Sequence, residues 1–98
     1  MQIKWTDTDP ETGERRFMCA EKFAKQWTFM FKLERRGEWI RGLKPTLALW
    51  EELLDRMRRR YQRREGVSNE DVEQVERVVK ELRAKMKAQE EEDQERTE

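Results

Sequence analysis

Six arginines crowd the stretch RMRRRYQRREG, residues 56 to 66, around one tyrosine and one glutamate. If the stretch is helical, Arg56, Arg59, Arg60 and Arg63 share a sector of about 100° on the side away from Leu54, Met57 and Tyr61. A contiguous row of guanidinium groups can track phosphates, releasing counterions and offering bidentate forks. The same row also has a structural explanation. Glu52 precedes Arg56 and Asp55 precedes Arg59 by four residues, acid first, the order that supports a helix by a few tenths of a kcal/mol per pair. Cations near a helix C-terminus also complement its dipole. The sequence therefore offers these four arginines both as a candidate face for an anionic partner and as a solvated helix end.

Other chemistry is less well supplied. No histidine occurs anywhere, which removes the commonest general base and zinc ligand and every Ser-His-Asp or Cys-His arrangement. Asp7, Asp9 and Glu11 alternate as the first ligands of a calcium loop do. Yet the sixth position is Thr12 where the tight turn needs glycine, and the twelfth is Met18 where a bidentate glutamate belongs. Cys19 is the only cysteine, so no intramolecular disulfide forms, and with Met18 and Ala20 beside it a buried thiol is expected. The four glycines are scattered through turns and make no phosphate-cradling loop. These features predict a chain that is not an enzyme, with no cofactor, no metal and no small-molecule substrate.

The elements that would position any site follow from periodicity. In KQWTFMFKLER, Trp27, Phe29, Phe31 and Leu33 fall on one side and Thr28, Met30 and Lys32 on the other, the alternation of a strand. Ile3 with Trp5, Phe17 with Cys19, and Trp39 or Ile40 mark shorter strands, and DPETGE and RRG suit the hairpin turns between them. No ring alternates with the core set of the main strand, which argues against base stacking on the sheet. If RRG closes a tight hairpin with Leu33 opposite Ile40, Trp39 points outward beside Glu34 as a candidate protein-interface anchor. Trp5, Trp27 and Trp50 fit core positions.

After KPT the period changes. Leu47, Trp50, Leu54, Met57 and Tyr61 repeat at helical spacing, and so do Val72, Val75, Val79, Leu82 and Met86. Between them Gly66 suits a left-handed position after the first helix, Ser68 and Asp71 make a capping box, and Val67 and Val72 a hydrophobic staple. So short a link makes the helices antiparallel, with Tyr61 near Val72, Leu54 near Val79 and Leu47 near Met86. The prediction is an α+β fold: an N-terminal antiparallel β-meander of three to four strands over residues 1 to 44, then an antiparallel two-helix hairpin over 45 to 88. Residues 1 to 88 form one domain, and 89 to 98, without an apolar residue, form an acidic disordered tail.

Composition sets the broader class. Charged residues reach 45%, well above the roughly 25% of ordinary domains, while nine aromatic side chains supply core volume. The formal net charge of zero hides an asymmetry: 16 Lys+Arg against 11 Asp+Glu in residues 1 to 65, giving +5, and 6 against 11 in residues 66 to 98, giving −5. No window approaches the roughly 18 apolar residues of a membrane span, and the start lacks a signal-peptide core, so a cytoplasmic protein with no membrane partner is expected. The leading functional expectation is a small binding or assembly module acting through protein contacts, self-association included. The alternative is a nucleic-acid-binding module using the arginine face on phosphates, with the acidic tail competing for it.

Overall fold

Alternation and hairpin turns build the first half of the chain into a four-stranded antiparallel sheet, as shown by a computed structural model that describes residues 1–96. The strands are β1 (Gln2–Thr8), β2 (Arg15–Phe23), β3 (Gln26–Lys32) and β4 (Ile40–Leu43), paired in chain order. Two helices follow, α1 (Leu47–Gln62) and α2 (Asn69–Arg96). The expected meander followed by a helical hairpin is therefore the fold, with four strands. The chain falls into two compact units, Met1–Pro45 and Thr46–Glu98.

Register decides which side chains share a face of the sheet. Ile3 stands opposite Ala20 and Ala20 opposite Phe29, while Trp5 stands opposite Met18 and Met18 opposite Phe31. Ile3, Trp5, Met18, Ala20 and Phe29 are all buried, so this face is apolar. At its margin Asp7 and Arg16 pair across β1 and β2. The guanidinium donates to both carboxylate oxygens at 2.8 Å, from a residue only 8% exposed. The bonds to Asp7 raise the pKa of Arg16, with burial opposing them.

Several sequence expectations need correction. Phe17 does not join the core face of β2: Met18 and Ala20 do, because their parity matches Ile3 and Trp5. Leu33 lies beyond the end of β3 and is 45% exposed, and Ile40 pairs with Phe31 rather than Leu33, so the β3–β4 connection is longer than a tight RRG turn. The β2–β3 turn sits at Ala24 and Lys25, both left-handed, with φ of 50° and 65°. Glycine or asparagine would take these positions at less steric cost, which is why this turn left no mark in the sequence. Gly42, at φ 82°, lies where β4 slips against Phe29 and Met30, and its left-handed backbone accommodates the bulge.

In the second unit, Thr46 caps α1, its hydroxyl accepting from the Leu49 amide, and Ser68 and Asp71 form the reciprocal capping box at α2. Val67 and Val72, the staple pair, are both buried. Ion pairs Arg58–Glu76 and Arg83–Glu51 fix the antiparallel sense, since partners in α2 move up the chain as those in α1 move down. The seam is buried through Leu54, Met57, Val72, Val75 and Val79, with Leu49 and Leu53 beside it. Its outermost rungs are looser: Tyr61 and Met86 are 45% and 51% exposed, because end rungs are flanked by packing on one side only. Helix α2 continues to Arg96, so positions 89–96 of the expected tail are helical, as their Glu and Gln content and lack of Gly or Pro allow. Residues 97 and 98 lie outside the described residues.

The left-handed residue that ends α1 is Arg64, at φ 59°, not Gly66. The Arg64 amide donates to the Tyr61 carbonyl and the Glu65 amide to the Arg60 carbonyl, a Schellman closure. Gly66 is left-handed as well, two residues later. A side chain at a left-handed position costs about 1–2 kcal/mol, partly offset by the entropy glycine adds to the unfolded chain. Arg64→Gly is therefore expected to stabilise the protein by about 0.5–1 kcal/mol, read as a higher urea midpoint at unchanged slope. A lower midpoint would show that the Arg64 side chain contributes more than its backbone conformation costs.

Candidate functional site

The sheet's other face carries the candidate site. Its rows are Thr8 with Arg15, then Thr6, Phe17 and Lys32, then Lys4, Cys19, Met30 and Arg41, and last Gln2, Glu21 and Thr28. Four cations thus share a face with one strand carboxylate, Glu21, which accepts a hydrogen bond from Gln2 at 2.8 Å. Lys4, Thr6, Arg15, Thr28 and Arg41 are exposed, while Cys19 and Met30 between them are buried.

Two aromatic rings are set among these cations. Phe17 comes from β2, and Trp39 from the connection that enters β4; both are half-buried. The Lys32 ammonium lies 4.6 Å from the Trp39 ring centre and 5.9 Å from that of Phe17. Lys4 stands 5.8 Å from the Trp39 ring and the Arg15 guanidinium 5.6 Å from the Phe17 ring. A depression of about 380 Å³ opens here, lined by Lys4, Thr6, Phe17, Lys32, Arg35 and Trp39 among others, within the roughly 300–1,000 Å³ range of small-ligand sites. Among the described residues none of Lys4, Arg15, Lys32 and Arg35 is ion-paired with a carboxylate. Their charge is available to an incoming anion.

A second cavity of about 290 Å³ sits at the bulge between β3 and β4, lined by Trp27, Met30, Arg41, Gly42, Leu43 and Pro45 among others. Arg41 belongs both to the lining of this cavity and to the basic face. Cys19, at the centre of that face, is buried, and burial raises its thiol pKa. That leaves it protonated and a poor nucleophile. In the β1–β2 loop, the carboxylate of Asp9 accepts from the Glu11 amide and the hydroxyl of Thr12 from the Glu14 amide, so these side chains close the turn. No group of three or more potential metal ligands occurs among the described residues, and no helix of those residues is long and apolar enough to cross a membrane.

The arginine row named from sequence lies elsewhere. Arg56 and Arg59 are on α1, bonded to Glu52 at 2.9 Å and Asp55 at 2.8 Å; Arg60 is in its last turn and Arg63 is its C-cap. Arg58, a neighbour in the stretch, is held by Glu76. Half of the four-residue row is thus already matched by carboxylates one turn earlier. Trp39, named as an interface anchor, sits on the basic sheet face against Lys4 and Lys32.

Sequence reasoning missed Phe17 as a surface ring and missed Lys4, Lys32 and Arg41 as a set. The available signal was parity: placing Met18 and Ala20 inward turns Phe17 outward, and antiparallel pairing then brings Lys32 beside it. What the fold defines is a small α+β protein, a meander followed by a helical hairpin, with one basic and aromatic sheet face. No protein-family model, curated protein or solved structure matches the chain.

Proposed function

We propose that the protein is a small, non-enzymatic, cytoplasmic binding module that holds a phosphate-bearing partner on the basic face of its sheet. The observation that carries this reading is the charge imbalance of that face. Lys4, Arg15, Lys32 and Arg41 stand against Glu21 alone, and Glu21 is tied to Gln2. Cations gathered on one face with no acidic partner repel, and an anion relieves that repulsion. The α1 arginines are less suited, since Glu52 and Asp55 already offset two of them.

Inorganic polyphosphate tests the reading without invoking bases, sugars or lipid. Binding to the full-length protein at low salt is expected to weaken linearly on a logarithmic salt scale, the mark of counterion release. No binding at low salt would remove the proposal.

Protein association is the second reading, favoured by apolar side chains left in the open on the sheet unit: Phe23 is 80% exposed, Ile40 50% and Leu33 45%. Such residues, with Trp39 beside them in sequence, suit a partner protein or a second copy. Light scattering separates the readings, because a monomer mass far above micromolar concentration removes self-association.

A further inference from the structure

Resting on the phosphate-binding reading above, we infer that the partner is single-stranded nucleic acid, with bases stacked on Phe17 and Trp39 and the backbone held by Lys4, Arg15, Lys32, Arg35 and Arg41. A face built only for phosphate gains nothing from rings. Here two rings stand among the cations, half-buried rather than protruding, beside an open depression. Flat rings edged by positive charge match a chain that alternates planar bases with phosphates. Thr6 and Thr28, exposed on the same face, add neutral donors and acceptors for base edges or sugars.

Energetics favour exchange of partners on the rings. In the unliganded face, Lys32 and Lys4 approach Trp39, and Lys32 and Arg15 approach Phe17. A cation over an exposed ring is worth about 0.5–1 kcal/mol. A stacked base is worth about 1–3 kcal/mol. When phosphates arrive, the flexible lysine and arginine stems swing from ring to phosphate and a base takes the vacated ring face. The ammonium groups thus wait on the rings that the bases will occupy.

The geometry also favours a single strand over a duplex. Lys4 on β1 and Arg41 on β4 occupy one row, three strand spacings or about 14 Å apart. Phe17 and Trp39 lie beside Lys4, Arg15 and Lys32, so bases must turn toward the sheet to reach the rings while phosphates meet the cations around them. A duplex keeps its bases stacked inside and cannot present them to the rings.

The central comparison of the test is between two strands of equal charge. Fluorescence anisotropy of the full-length protein is measured with oligothymidylate, with an abasic oligomer of the same length, with the matching duplex and with vesicles containing anionic lipid. Oligothymidylate is expected to bind at least about fivefold more tightly than the abasic strand, the fold-change that one stacked base supplies at the lower end of its range. Phe17→Leu and Trp39→Leu should each narrow that ratio toward one. Equal affinity for the two strands would overturn the stacking inference and leave phosphate binding standing. Tighter binding to duplex or to vesicles would overturn it in favour of those surfaces. Binding to none of them, polyphosphate included, would end both proposals. The wild-type comparison needs no variant to fold.

Discussion

Asp7→Ala is expected to lower the unfolding free energy by about 3 kcal/mol, the lower end of the range for stranding one member of a buried ion pair. Arg16 is 8% exposed and both of its short bonds, at 2.8 Å, go to Asp7. With the carboxylate gone, the guanidinium stays at the margin of the apolar face with no charge to meet it. The alternative for the chain is to pull Arg16 into water and disturb the packing beside Trp5 and Met18, its neighbours in the register. Either route costs more than the pair contributes as a contact, because the penalty is that of an uncompensated charge. The double variant Asp7→Ala/Arg16→Met should therefore be more stable than Asp7→Ala alone. Urea unfolding followed by tryptophan fluorescence checks both. A single-variant loss below about 1 kcal/mol would mean that the pair behaves as a solvated surface bridge.

This pair also shows what a sequence conceals. Asp7 and Arg16 are nine positions apart, and only the register of β1 against β2 makes them neighbours. The helices were legible because their signals are local: the spacing from Leu54 to Met57, the Ser68–Asp71 box and the Val67–Val72 staple all lie within a few residues. The strongest strand, around Phe29, was legible for the same reason. The basic face was not, since Lys4, Phe17, Lys32 and Trp39 come from four separate segments joined by register. The Ala24–Lys25 turn, which helps set that register, carries no glycine or asparagine to announce it. The arginine run drew notice by its density in sequence. Density in sequence says nothing of pairing, and Glu52, Asp55 and Glu76 had already engaged part of it.

Replacing Lys4, Lys32 and Arg41 together by glutamine is expected to weaken binding to polyphosphate or a single strand on the order of 10²-fold at about 50 mM salt. Each cation–phosphate contact on a single strand contributes about 0.7 to the logarithmic salt slope, so losing three lowers the slope by about two. The fold should tolerate the change. Lys4 and Arg41 are exposed, and none of the three is ion-paired among the described residues, so the main loss is the ring contact of Lys4 and Lys32, about 0.5–1 kcal/mol each at such sites. The matched control carries Arg56→Gln, Arg59→Gln, Arg60→Gln and Arg63→Gln on the helix. It removes four charges rather than three, so nonspecific attraction predicts the larger loss there. Recognition by the sheet predicts the reverse, because Arg56 and Arg59 give up bonds to Glu52 and Asp55 and leave those carboxylates behind without moving the binding face. A loss in the helix variant beyond the four-to-three ratio of charges removed would transfer the phosphate site to α1. Losses in proportion to the charge removed, four against three, would mean that neither face is a site and that the protein attracts anions through its overall field.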